Sequence, residues 1–409
     1  MNKKLLALLT VAAISQVSLA QKTFSVKITN PTKEIRKEQP VVLKLDKETD
    51  VQSAVVTLDG KEIPSQLDDL DRDGTFDELC FLTDLDKRQI LEYKIYLYDT
   101  GEPRVYPSRV FAEILLRNPK IKQKNAHDFY LNEISVPKNL KDPYHLLHHH
   151  GVAFENELIA MRIYFDKRQT VDLYGKYKKG LEVEKTQFYT SKEQKEEGFG
   201  DDVLWVGNTF GLGAFRGWNG QAPTMIDDVN FRTQRIVANG PVRTIVEVEN
   251  RGWKAISGLP RLNMTTRYTL YAGRRDAEVN IFFNRNVNGV DFSTGIINVK
   301  NSTEYSDKKG LRGCWGSDWP TGEKDSAGHK RETVGLGIYI PNEYRKSEEP
   351  ANKDNYAFVI DTQSNVIKYR ITYTSDNEEF GYHSAKDWFA FLKEWRKEMD
   401  MPNIIERID

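Results

Sequence analysis

Apolar and polar residues alternate with a period of two through most of this chain, and a helical period shows in a single stretch near its end. From Lys22 to about Tyr106 the runs PVVLKL, VQSAVVTL, ELCFLTDL and ILEYKIYLY are short and are separated by turns rich in Asp, Gly and Lys. They predict a small β-sandwich over residues 21–106, with the exit near Gly101–Pro103 and Pro107. Longer strand patterns follow to about Arg370, among them TIVEVEN, LNMTTRYTLYAG, DAEVNIFFNR, VGLGIYI and YAFVI. No βαβ rhythm interrupts them, so residues 107–409 predict a large antiparallel β-sandwich, and the fold class is all-β. At the end, Ser384 reads as an N-cap with Asp387 three residues on. Trp388, Phe391, Leu392, Trp395 and Met399 then recur at helical spacing, which predicts one amphipathic helix with its aromatic stripe in the core. The charged stretch from Lys179 to Asp202 reads as a solvated helix or insertion loop.

The first twenty residues stand apart from this pattern. Lys3 and Lys4 precede an apolar run from Leu5 to Ala13, and Ser18-Leu19-Ala20 puts small residues where a signal peptidase reads, so cleavage before Gln21 and export to the periplasm or beyond are expected. No cysteine follows closely enough for a lipid anchor, and no later apolar run is long enough for a membrane helix. The 59 Lys and Arg nearly cancel the 60 Asp and Glu, so no overall field attracts nucleic acid or a membrane surface, and any anionic ligand must be held by local arginines. Cys80 and Cys314 are compatible with a bridge or with two separate buried thiols.

Acid–base groups concentrate between Tyr144 and Lys176. Four of the seven histidines fall at His145, His148, His149 and His150. The run FENELIAMRIYFD that follows reads as a half-buried strand with Arg162, Tyr164 and Asp166 on its polar face. After the turn DKRQT, the run VDLYGKY sets Asp172, Tyr174 and Lys176 on one face, so a hairpin brings these groups beside the histidine loop. In an extended run at most two of three adjacent histidines face one point. The odd register of Glu155 and Glu157 places them on the apolar side if the strand is already regular there, which disfavours a glycosidase carboxylate pair. Arg162 and Lys176 have an alternative role in a structural ion network with Asp172.

In the N-terminal domain Asp69, Asp71 and Asp73 alternate before Gly74, with Asp77 beyond. Alternate carboxylates with a glycine turn and the Thr75 carbonyl suit a hard cation, so a structural Ca2+ is expected. The loop departs from an EF-hand because position twelve is Cys80.

The segment His149 to Glu155, the run Arg162 to Lys176, the strand pair YTLYAGRRDAEVNIFF and the closing GYHSAKDW together resemble a group of secreted proteins of nominally unknown function from bacterial polysaccharide-utilisation clusters. The resemblance covers most of the mature chain. It implies a galactose-mutarotase-like supersandwich for the large domain, and is similar in particular to the oligosaccharide dehydratase of ulvan breakdown. It therefore implies an enzyme that turns a non-reducing-end uronic acid into its 4,5-unsaturated form, with a uronic-acid oligosaccharide as partner. Such an elimination needs a cation on the carboxylate, a base at C5 and an acid for the departing hydroxyl. Arg162 is the first choice for the cation and Arg216 the second. His149 or His150 with Tyr164 suits the base, and Tyr174 or Lys176 the acid. Asp172, Arg216, Trp218, Trp315 and His329 are candidates for sugar contacts, the tryptophans because flat rings stack on sugars. A polysaccharide lyase on the same substrates and a non-catalytic glycan-binding protein remain alternatives.

Overall fold

The computed structural model describes residues 22–45, 50–123, 125–255, 259–321 and 330–408. The apolar leader at 1–20 and His329 lie outside the described residues. No helix among the described residues is long and apolar enough to cross a membrane.

Alternation becomes strands, and the strands make two antiparallel sandwiches, as the all-β expectation required. In the smaller one, a sheet ordered Ile404–Ile408, Lys22–Thr29, Ile90–Tyr98, Ser53–Leu58, Lys61–Ile63 faces a sheet ordered Arg36–Lys44, Glu78–Leu85, Ser65–Asp68. Val26, Ile28, Val56, Leu79, Phe81 and Ile95 fill the space between them. A division at residue 106 misses one piece of this unit. The strand Ile404–Ile408 returns from the far end of the chain and pairs with Lys22–Thr29, Ser25 opposite Ile408.

The larger sandwich sets a nine-stranded sheet, running from Glu133–Pro137 at one edge through Arg243–Trp253 and Leu262–Tyr271 to Thr303–Ser306 at the other, against two shorter sheets. One of these is ordered Asp201–Asp202, Val171–Gly175, Ala160–Tyr164, Gly151–Asn156, Val110–Leu116, Phe129–Leu131. The other, of five strands, contains Arg216–Trp218 and Phe292–Ile297, and the bridges Val171–Gly211 and Leu212–Ile296 join the two. Phe154, Met161, Ile163 and Leu173 meet Val246, Val248, Tyr268 and Ile281 in one core. Burial of so many large apolar side chains, each stabilising by about 1.5–3 kcal/mol, is what holds the layers together.

The helix Ala385–Asp400 begins where expected, with Ser384 Oγ accepting from Asp387 N at 3.1 Å. It lies on the outer face of the nine-stranded sheet with Trp388, Leu392 and Trp395 buried. The approach depends on missing side chains: a Cβ on Gly335 would stand 2.8 Å from the Trp388 ring, and one on Gly337 2.5 Å from Leu392. Cys80 and Cys314 are separate buried thiols, one in each sandwich, and burial pushes both up to about 12.

Candidate functional site

The run FENELIAMRIYFD is two strands, because the chain reverses at Asn156–Ile159. Asn156 Oδ1 accepts from Leu158 N at 2.8 Å and Ile159 N at 2.9 Å, closing the turn from its own side chain. The strand Gly151–Asn156 then pairs back on Ala160–Tyr164, with Ala153 opposite Arg162 and Glu155 opposite Ala160. This overturns the register expected for Glu155. It shares the polar face, where its carboxylate holds Lys176 Nζ at 2.5 Å and accepts from Val183 N at 2.7 Å. Glu157 points to the domain junction and pairs with Arg109, which also holds Glu38 of the small sandwich.

That polar face is not exposed either. The stretch expected to be a solvated insertion folds over it, with Val183 and Phe188 fully buried against Ala153, Ala160 and Tyr174. Its second helix, Lys192–Glu196, is the solvated part. The hairpin does place Arg162 beside Asp172, as the alternation predicted, but the cover makes them an internal network. Arg162 donates to Asp172 at 2.7 Å and Asp202 at 2.9 Å, and stacks 4.4 Å from Phe188. Asp172 also accepts from the Tyr164 hydroxyl at 2.7 Å. Tyr174 donates to Gly200 O at 2.7 Å, and Lys176 is engaged by Glu155 and the Asn156 carbonyl. Lys176 therefore belongs to a pair with Glu155, not with Asp172. With their polar atoms committed inside, Arg162, Tyr164, Asp172, Tyr174 and Lys176 do not line the cavity beside the histidines.

The three adjacent histidines diverge. His149 turns inward, fully buried, with Nε2 2.6 Å from Glu113 Oε1. Burial drives both partners to their neutral forms, the carboxyl well above its usual range and the imidazole down to about 3. His149 Nδ1 and Glu113 Oε2 have no partner. His148 and His150 instead line a cavity of about 260 Å3 with Arg117, Lys122, His127 and Tyr189. No carboxylate lines it. His150 adopts φ +62°, a strained conformation for a residue with a Cβ, and its Nδ1–H donates to Tyr144 O at 3.1 Å, which leaves Nε2 as its basic nitrogen. Burial lowers His148 to about 2 and His150 to about 3, and lowers His127 as well, so the cluster is uncharged at neutral pH. The His127 and His148 rings lie 4.2 Å apart. Among the described residues Arg117 makes no ion pair. The Tyr189 hydroxyl accepts from Arg162 Nη1 at 3.1 Å, and burial raises its pKa.

Sequence reasoning singled out His150 but missed Arg117, His127 and Tyr189, which come from outside the histidine block. Of the later candidates, Arg216 is buried and lines a separate cavity, while Trp218 and Trp315 do not line it. Trp315 packs beside the aromatic stripe of the C-terminal helix. In the small sandwich, carboxylate oxygens of Asp69, Asp71 and Asp77 lie within 4.8 Å of one another, a spacing that fits a divalent cation. Asp73 and Thr75 stand outside that group, with Asp73 Oδ1 accepting from Thr75 N at 2.8 Å.

No curated protein matches the chain. Among solved structures it is similar to an alpha-mannosidase from Enterococcus faecalis V583, at 10% identity and a TM-score of 0.48, over 96% of this chain and 47% of that one. It is also similar to a protein in the glycosyl hydrolase family 38 from Enterococcus faecalis, at 10% identity and a TM-score of 0.49, over 95% of this chain and 48% of that one. The chain thus spans about half the length of these structures. A family known as a domain of unknown function, DUF4861, matches residues 28–405, and with nearly all of its described strands inside that match the chain belongs to this family.

Proposed function

We propose that the protein is a carbohydrate-active enzyme that removes water from a uronic acid at the end of an oligosaccharide, and that the reaction takes place in the histidine cavity. One observation carries the reading: neutral imidazoles, a phenol and an unpaired arginine line a single cavity that contains no carboxylate.

The absence of lining acids fits an anionic sugar and leaves no carboxylate pair there for glycoside hydrolysis. Arg117 takes the sugar carboxylate as a two-point fork, so charge developing at C5 is neutralised as it forms. His150 Nε2 removes the C5 proton. Burial keeps the imidazole unprotonated at any pH where the substrate is ionised, and the negative charge of the bound uronate raises its affinity for the proton it takes. The electron pair of the C5–H bond becomes the C4–C5 double bond as the C4–O bond breaks. Tyr189 gives its proton to the departing hydroxyl, which leaves as water, and the hydrogen bond from Arg162 supports the resulting phenolate. Proton return from the His150 imidazolium to Tyr189 restores both groups. Arg162, the first choice from sequence, acts in this reading through Tyr189 and not on the substrate.

The test is incubation with uronate-terminated oligosaccharides, following the absorbance of the unsaturated uronate and the mass of the product. A product lighter by one water with its glycosidic bonds intact is expected. Chain cleavage with a new double bond would make it a lyase, and an unchanged substrate would leave a binding protein.

A further inference from the structure

A second cavity, of about 980 Å3, is lined by Trp205, Asn208, Arg216 and Lys300 among others. Arg216 is 2% exposed, yet no carboxylate stands within ion-pair distance of it among the described residues. Its guanidinium is met by neutral acceptors: Thr209 O at 2.7 Å, Thr170 Oγ1 at 3.0 Å, Asn208 O at 3.3 Å and the Met225 sulfur at 2.8 Å. Nε is buried without any partner. Other deeply buried arginines are treated differently, since Arg243, Arg275 and Arg312 each hold a carboxylate at 2.6 to 2.8 Å. Arg232 also bonds only neutral acceptors, Asn250 Oδ1 and Ile226 O; Asp166 lends opposite charge through space to both arginines, and Asp227 adds to it at Arg232 alone. An isolated buried cation is costly unless something else brings the compensating charge.

The rest of the lining says what kind of molecule brings it. Trp205 is 55% exposed, a large flat apolar face in a hollow of mixed polar and apolar lining. Such a face beside amide side chains suits a sugar ring, whose C–H side stacks while its hydroxyls bond to Asn208 and its neighbours. Asp318 and Asp354 also line the cavity, and as acceptors they match sugar hydroxyls. We propose that this cavity is a second saccharide subsite, in which the ring lies on Trp205 and an oxyanion on that ring, carboxylate or sulfate ester, is received by Arg216. The anion replaces neutral carbonyl acceptors of the Asn208–Thr209 loop, which itself lines the cavity, with charge-assisted bonds of roughly twice their strength.

Ring contacts link residues of the two cavities. Arg168 lines this one, and its guanidinium lies 4.5 Å from the Tyr144 ring, which stacks at 3.8 Å on His150 of the other. That one oligosaccharide occupies both rests on the reading given above; that an anionic sugar binds here does not.

The experiment therefore measures binding without turnover. Calorimetric titrations of the full chain carrying Arg117→Gln, which removes the anion grip of the histidine cavity, would use methyl glucoside, methyl glucuronide and glucose 6-sulfate. At least one anionic sugar should bind roughly tenfold or more tighter than the neutral one, and the tighter of the two identifies the oxyanion. Adding Trp205→Ala, an exposed position whose loss leaves folding intact, should weaken binding of that sugar, and Arg216→Met should abolish its advantage over methyl glucoside. Equal affinity for charged and neutral sugars, no binding of either anion, or binding indifferent to Trp205→Ala overturns the proposal. A protein that never dehydrates a uronate but passes this test refutes the reaction alone.

Discussion

Tyr144 lies flat against His150, ring centroids 3.8 Å apart and planes 4° from parallel, while its carbonyl accepts the proton of His150 Nδ1. One residue thus fixes both the tilt and the tautomer of the imidazole assigned as base. His150→Ala should lower turnover by roughly a hundredfold or more, the scale of a lost general base. Tyr144→Leu should lower it less and leave KM nearly unchanged. Equal rates for His150→Ala and wild type would remove the base from this position.

The pH response follows from burial. His148 and His150 have lowered pKa values in the folded protein, with no raised acid beside them as Glu113 is beside His149, so below 6.5 the unfolded chain binds protons that the folded one refuses. Their contribution to stability is complete above 6.5 and is lost as pH falls from there towards about 3. The melting temperature should drop across that window, and His148→Gln should make the drop shallower. Turnover at fixed temperature should hold nearly level from neutral pH down to the point where unfolding begins.

Arg117 and Arg162 should separate cleanly. Arg117→Gln, at an exposed guanidinium, should raise KM roughly tenfold and lower kcat roughly a hundredfold, the scale of a lost charge stabiliser, with an unchanged melting temperature. Arg162→Ala strands Asp172 and Asp202 in a buried network, and its cost should be about 3–5 kcal/mol of stability in chemical denaturation. An Arg162→Ala protein as stable as wild type would overturn its structural role.

Chelation should lower the melting temperature of the small sandwich, and Asp71→Ala should remove that sensitivity, if a cation sits among Asp69, Asp71 and Asp77. Identical melting with and without chelator at controlled calcium would leave the loop as an acidic turn.

Gly335→Ala tests the helix seat. The new methyl meets the Trp388 ring at 2.8 Å, so about 1–3 kcal/mol should be lost, with a change in tryptophan fluorescence.

The strands and the helix were legible because alternation and a capped apolar stripe are local signals. The reversal at Asn156 was written in the sequence too, but by an asparagine closing its own turn, with no glycine or proline to mark it. Phe188 and Tyr189 were hidden by the charges around them: two buried side chains, Val183 and Phe188, suffice to anchor a stretch whose composition is that of a surface. Arg117 and His127 reach the cavity from strand ends and loops remote in sequence, and no spacing rule joins them to His150. Trp205 stood in a polar loop at the end of the same charged stretch, the one cue that pointed to its exposure.

The pairing of Ser25 with Ile408 carries a consequence for how the molecule is made. The strand Lys22–Thr29 leaves the ribosome early, but its neighbour on that side follows every other described strand in sequence. Until then one row of its backbone N–H and C=O groups faces outward as an open edge, free to recruit a strand from another nascent chain. The small sandwich, first in sequence, is thus among the last parts to close, and a chain cut short before Ile404 would keep that adhesive edge for its lifetime.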